Sequence, residues 1–139
     1  MPYIEKIATL FPTGDNETNK SDIVYNYNFS ELPTSYAPTF KLGVFGLKRN
    51  ESYSFHILVH DKDNSTIVDN FTPKITVNDE NFDNSKFISD NLVASTFELK
   101  TIPFTIIENG TYQLKVVLVN SKHEDLDAAY TYFHTVKEA

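Results

Sequence analysis

The sequence predicts an all-β domain, a sandwich of about seven to nine antiparallel strands with at most one or two short helical turns. Three observations predict it. Apolar residues alternate with polar ones along most of the chain, such segments are short and separated by turn-forming clusters, and no segment carries a convincing helical repeat. The 139 residues amount to a single domain, 1–139, with no linker to divide them and no internal repeat. A chain of this size buries roughly two-thirds of its unfolded surface, so it needs neither metal nor disulfide to fold.

Strands are expected near 3–11, 22–30, 38–47, 52–60, 65–77, 92–100, 103–107, 111–120 and 128–136. Side chains along a strand point alternately to its two faces. Tyr53, Phe55, Ile57 and Val59 therefore form one apolar stripe, and Tyr112, Leu114, Val116 and Leu118 form another. Ile23, Tyr25, Tyr27 and Phe29 repeat the pattern, as do Val93, Ser95, Phe97 and Leu99. Leu47-Lys48-Arg49-Asn50-Glu51 and Glu108-Asn109-Gly110 read as hairpin connections. Asp61-Lys62-Asp63-Asn64-Ser65 reads as a turn in which Asp, Asn and Ser side chains bond nearby backbone. Pro33 and Pro38 bracket a loop with Tyr36 at its tip, and 14–21 reads as a polar loop. The stretch 81–91 is a polar connection with room for a helical turn, and Lys122 to Ala129 is the best remaining candidate for one.

The segment Ile106-Ile107-Glu108-Asn109-Gly110-Thr111-Tyr112-Gln113-Leu114-Lys115-Val116 resembles the Gly-x-Tyr corner of immunoglobulin-like and fibronectin-type sandwiches. Arg49-Asn50-Glu51-Ser52-Tyr53-Ser54-Phe55 is a weaker echo of it. The resemblance covers roughly 30 residues and implies an immunoglobulin-like architecture, with Tyr112 buried and its hydroxyl bonded to backbone upstream. It implies no activity. The chain also resembles, loosely, small bacterial and phage β-sandwich proteins. It departs from antibody domains in having no cysteine pair and no tryptophan.

Composition removes several function classes. The formal charge is −7 and Arg49 is the one arginine, with lysines scattered among more numerous carboxylates. Such a chain repels phosphate backbones and anionic lipid, so neither nucleic acid nor membrane is expected as a partner. No run approaches the ~20 apolar residues of a membrane helix. The start Met1-Pro2-Tyr3-Ile4-Glu5-Lys6 lacks the basic and apolar regions of a signal peptide. A cytoplasmic location is expected, or a virion if the source is a phage. The absence of cysteine excludes a thiolate metal site and a cysteine nucleophile.

Candidate sites are few. Asp61 and Asp63 offer oxygen ligands at alternate positions, as calcium loops do, and Asp69 is within reach as a third. The EF-hand pattern fails because Thr66 and Thr72 stand where it needs other residues, and the plainer reading is a solvated turn. His56 and His60 share one side of a strand about 13 Å apart, too far to ligate one metal. There is no Gly-x-Ser-x-Gly elbow, no P-loop and no Gly-x-Gly-x-x-Gly among only four glycines. An enzyme is not expected, and no cofactor is. Of eight tyrosines, Tyr25, Tyr27, Tyr36, Tyr130 and Tyr132 are candidates for an exposed patch, weighed against a place in the core. Tyr36 is the best exposed candidate, and Tyr130-Thr131-Tyr132-Phe133 puts aromatics on both faces of a late strand.

These features predict a non-enzymatic protein-interaction or binding module of bacterial or phage origin. It would act on a protein partner or by self-association, including as a homodimer, through Tyr36, Tyr130 and Tyr132. A structural subunit of a virion or surface assembly is one alternative. A calcium-dependent adhesive or carbohydrate-binding domain using Asp61, Asp63 and Asp69 is another.

Overall fold

The computed structural model describes residues 3–16, 18–20 and 22–138. Met1, Pro2 and part of the 14–21 loop, Glu17 and Ser21, lie outside the described residues. The rest is all-β: eleven strands and a single 3-10 turn, Asn84–Lys86, are found among the described residues. The strands are β1 (Lys6–Thr13), β2 (Asn26–Phe29), β3 (Thr34–Tyr36), β4 (Thr39–Lys48), β5 (Ser52–His60), β6 (Thr66–Phe71), β7 (Ile75–Thr76), β8 (Leu92–Lys100), β9 (Phe104–Ile106), β10 (Gly110–Asn120) and β11 (Asp125–Lys137).

One sheet has the order β1-β4-β8 and the other β2-β11-β10-β5-β6, with β7 also pairing β5. A two-stranded ribbon, β3-β9, stands beside them. All pairings are antiparallel except β2 with β11, which is parallel. The two sheets meet through one core. Phe40, Leu42, Val44 and Leu47 of β4 and Val93 of β8 cluster with Tyr53, Phe55, Ile57 and Val59 of β5 and Leu114, Val116 and Leu118 of β10. Phe55 and Phe97, one from each sheet, lie 5.6 Å apart by ring centroid. Each fully buried side chain of this size removes enough apolar surface to contribute roughly 1.5–3 kcal/mol before entropy is charged.

The alternation in β5 and β10 places their apolar stripes inward as the sequence implies. The stripe at 23–29 does not survive whole: Tyr27 is buried, but Ile23 and Tyr25 precede the strand and stay exposed. The chain is leaving one sheet for the other there. β1 belongs with β4, Thr13 bridges Ile23, and β2 then joins β11. Proline splits the segment read at 65–77, since Pro73 has no N–H to continue the ladder between β6 and β7.

Three turn readings change. The turns after β4 and before β10 are not hairpins: each passes the chain between strands of different sheets. Asn50 supplies the positive φ of 70° for the first of them. Conversely, Lys122 to Ala129 is not helical. Ser121 to Glu124 closes a hairpin between β10 and β11, with His123 at φ 61° and the Asn120 carboxamide accepting from the Lys122 and Glu124 N–H groups. The expected helical turn within 81–91 is present as Asn84–Lys86.

Tyr112 is buried at the start of β10, its ring stacked on Phe133 at 5.2 Å. The hydroxyl that reaches back to upstream backbone is instead that of Tyr53, in the weaker echo. It accepts the Lys48 N–H at 3.0 Å and donates to Glu5 Oε2 at 2.9 Å. Tyr27 makes a comparable tie, donating to the Thr13 carbonyl at 2.8 Å and so fastening β2 to β1.

Candidate functional site

The outer face of the six-stranded sheet follows from register. In β10 the outward positions are Thr111, Gln113, Lys115, Val117 and Val119. They oppose His134, Tyr132, Tyr130, Ala128 and, past a bulge, exposed Asp125 of β11 on one side. On the other side Gln113, Lys115 and Val117 oppose His60, Leu58 and His56 of β5. Beyond β5, Asp69 and Phe71 of β6 stand opposite Leu58 and His56. Four strands thus present rows such as Asp69-Leu58-Lys115-Tyr130 across a continuous surface.

Tyr130 is 51% exposed and Tyr132 is 53% exposed. Their side chains stand two residues apart on one face of one strand, about 7 Å by strand rise. The Lys115 ammonium lies 5.5 Å from the Tyr130 ring centroid, and the Gln113 amide donates to the Tyr132 hydroxyl at 3.3 Å. Phe71 is exposed, with the His56 ring stacked on it at 4.2 Å. His56 Nε2 meets Asp69 Oδ1 at 2.6 Å. His134 Nδ1 meets the Thr111 hydroxyl at 3.0 Å. His60 keeps Nδ1 buried without a hydrogen-bond partner. The face therefore combines flat aromatic area with side chains able to donate or accept hydrogen bonds, anchored by a rigid sheet.

Tyr36 is not at an exposed loop tip. It ends β3, opposite Phe104 of β9, and is half-buried. Its ring packs edge-on against Phe29 at 4.9 Å and lies 5.2 Å from Tyr27, and its hydroxyl donates to Asp15. Burial, the Asp15 carboxylate and the bond to it push its phenol above the usual range. Burial does the same, as the first cause, to Tyr27, Tyr53 and Tyr112. The flanking prolines gave Tyr36 the look of a loop residue. The pairing with β9, more than 60 residues on in sequence, is what local chemistry could not reveal.

Asp61, Asp63 and Asp69 are not brought together. Asp61 Oδ1 accepts the N–H groups of Asp63 and Ser65, both at 2.9 Å, so this carboxylate caps the turn between β5 and β6. Asp63 is exposed in the same turn, and Asp69 faces outward beside His56. Among the described residues no group of three His, Cys, Asp or Glu side chains is placed to hold a metal ion. Asp61 and Asp63 do line a cleft of about 140 Å³ with Lys62, Ile67, Glu108 and Tyr112. Lys62 Nζ lies 3.4 Å from Glu108 Oε1 across it. Nor is any helix among the described residues long and apolar enough to cross a membrane.

Compared by sequence, the chain matches no protein-family model and no curated protein. Compared by structure, it is similar to a bacterial adhesin from Mobiluncus mulieris containing intramolecular disulfide, isopeptide and ester bond cross-links. The TM-score is 0.61 at 7% identity over 97% of this chain. The chain spans 58% of that adhesin chain's length. Having no cysteine, it has no counterpart of the disulfide. A β-glucuronidase from Bacteroides uniformis matches with a TM-score of 0.49 at 11% identity, over 88% of this chain and 12% of the enzyme. The likeness to the adhesin, at 7% identity, is one of β-rich, sandwich-like fold alone.

Proposed function

We propose that the chain is a non-enzymatic binding module of immunoglobulin-like architecture that engages its partner through the outer face of the β2-β11-β10-β5-β6 sheet. The two sheet orders, with β2 running parallel to β11, support the architecture. The observation that carries the function is the pair Tyr130 and Tyr132, held half-exposed on a rigid sheet face among Gln113, Lys115, His56 and His60. Tyrosine gives a partner large contact area at small entropic cost and a hydroxyl for hydrogen bonding, which is why it is enriched where proteins meet ligands. Tyr36, with its hydroxyl committed to Asp15, takes no part in this face.

The test compares the protein with a Tyr130→Ser/Tyr132→Ser double variant shown to be folded by circular dichroism. Both are examined by light scattering for self-association and on arrays of immobilised proteins and glycans. The wild type is expected to make at least one interaction that the double variant loses. Retention of every wild-type interaction by the folded double variant refutes the assignment of this face.

A further inference from the structure

Tyr36 and the polar loop at 14–21 meet at a cavity that the outer face does not use. It holds about 250 Å³ at the open edge of β2, the last strand of the larger sheet. The Tyr25 and Phe29 carbonyls accept the His134 and Glu138 N–H groups at 2.7 and 2.8 Å, so the odd-numbered residues here turn their backbone groups toward β11. Alternation then turns the backbone groups of Asn26 and Asn28 the other way, to the open edge. Asp15, Asn26, Asn28, Phe29, Tyr36 and Glu138 line the cavity.

The polar groups converge from separate segments of the chain. Asn26 Nδ2 donates to Asn28 Oδ1 at 3.2 Å, which orients both carboxamides and leaves Asn26 Oδ1 as an acceptor and Asn28 Nδ2 as a donor. The Tyr36 hydroxyl donates to Asp15 Oδ2, so the phenol oxygen can still accept and Asp15 Oδ1 remains an acceptor. Glu138, just past β11, brings a second carboxylate. Phe29 and Tyr36, packed edge-on at 4.9 Å, supply a rigid apolar wall. Among the described residues, no Lys, Arg or His lines the cavity.

These groups select by charge, by hydrogen bonding and by size. Two carboxylates with no cation beside them repel an anion. A metal ion or an ammonium group accepts no hydrogen bond, and so leaves the Asn28 amide donor unused. A hydroxyl both donates and accepts, and so answers carboxylate and carboxamide together. The volume lies below the roughly 300–1,000 Å³ of clefts that hold drug-sized ligands, which leaves room for a single small ring. We infer that this cavity binds one uncharged sugar ring, at a site beyond the partner face proposed above. The sugar hydroxyls bond Asn26, Asn28, Asp15 and Glu138, and the apolar C–H face of the ring lies against Phe29 and Tyr36.

The experiment is NMR titration of the isotope-labelled whole chain with glucose, galactose, mannose and N-acetylglucosamine, all uncharged. At least one is expected to shift, saturably, the Asn26 and Asn28 side-chain signals and the backbone amides of β2. A dissociation constant of about a millimolar suits so small a ligand. Asn28→Ala and Glu138→Gln are each expected to weaken binding roughly tenfold. Asp63→Asn, which removes the same charge from the exposed β5–β6 turn, is expected to leave it unchanged. Sodium glucuronate is expected to bind roughly tenfold more weakly than the best of the neutral sugars. Equal binding of glucuronate overturns the selection against anions. Calcium chloride shifting the same signals where no sugar does overturns the sugar in favour of a cation. No shift at β2 with any of the sugars, or unweakened binding in both variants, refutes the site. Shifts confined to Tyr130 and Tyr132 refute it too, and pass sugar binding to the sheet face. Melting curves of each variant separate a loss of binding from a loss of fold. Since Tyr130 and Tyr132 stay in place throughout, failure at β2 leaves the partner face to its own test.

Discussion

Raising the pH is expected to destabilise this protein through its buried tyrosines. Tyr27, Tyr53 and Tyr112 are buried, and each phenol is held above its ordinary value of 10.0, with burial the first cause. In the unfolded chain a phenol loses its proton near pH 10, while in the folded chain it keeps it. Above that point the unfolded state binds fewer protons than the folded one, so stability falls as pH rises. The contribution is fully present below the unfolded value and is lost on the way up to the folded one. Tyr27 and Tyr53, raised the most, each cost about 1.4 kcal/mol per pH unit in that window, about 3 kcal/mol per unit together, and Tyr112 adds in the same direction. Two units above pH 10 thus remove about 6 kcal/mol, enough to exhaust a domain at the lower end of the ordinary range of about 5–15 kcal/mol. Half-buried Tyr36 adds to the slope, discounted for its contact with solvent. The assay is urea unfolding followed by circular dichroism at stepped pH, with phenolate absorbance recorded alongside. The two signals are expected to change together and cooperatively. Lysines also lose charge in this range, so Tyr27→Phe and Tyr53→Phe serve as controls, each flattening the slope by about 1.4 kcal/mol per unit. Stability that is level between about pH 10 and 11.5, or a slope unchanged in both Phe variants, refutes the reasoning.

Further outcomes follow from single positions. Asn70 has a buried Oδ1 without a hydrogen-bond partner, on the side of β6 that faces inward opposite Ile57. Asn70→Val removes that desolvated atom and is expected to raise the urea-unfolding free energy by about 1 kcal/mol. Gly46 sits at φ 77°, where an added Cβ would lie 2.8 Å from the Ile4 Cα, so Gly46→Ala is strained on both counts. It is expected to cost about 2 kcal/mol or more, read as a lower unfolding midpoint. Asp61→Ala strips the cap from two backbone N–H groups of the β5–β6 turn. It should cost about 1 kcal/mol, with the loss confined to that hairpin in amide hydrogen exchange.

The strands were legible in the sequence where alternation is long and both neighbours are close in register. β5 and β10 are inner strands of the larger sheet, and their stripes bury as the period requires. What the sequence hides is which strand lies beside which. Asn109-Gly110 has the chemistry of a hairpin, yet β9 pairs β3 while β10 pairs β5 and β11. A tight turn reverses the chain whether the next strand joins the same sheet or the opposite one, so turn residues do not decide pairing. The tyrosine tie is misplaced for a related reason. Tyr112 and Tyr53 follow similar local patterns, but which hydroxyl reaches backbone depends on the length and direction of the preceding turn. At the candidate face, the exposure of Tyr130 and Tyr132 was legible from alternation against Phe133 and Thr131, which are buried. Its continuation through His56, Leu58, Asp69 and Phe71 was not, because it exists only once four strands are in register.

Exposed tyrosine on a strand has a structural explanation that competes with the functional one. Tyrosine favours strands, and cross-strand pairs such as Tyr130 with Lys115 and Tyr132 with Gln113 stabilise a sheet by roughly 0.2–1 kcal/mol each. Threonine separates the two explanations, because it keeps the strand preference and loses the ring. If the tyrosines serve the sheet, Tyr130→Thr/Tyr132→Thr should lose up to about 2 kcal/mol through the two broken pairs, with binding falling only as folding does. If they serve a partner, the same variant should hold most of its stability and lose the interaction outright. Stability and binding are measured on one preparation, by urea unfolding and titration, so the two losses can be compared directly. Equal fractional losses in both would return Tyr130 and Tyr132 to the sheet and leave the face without its anchor.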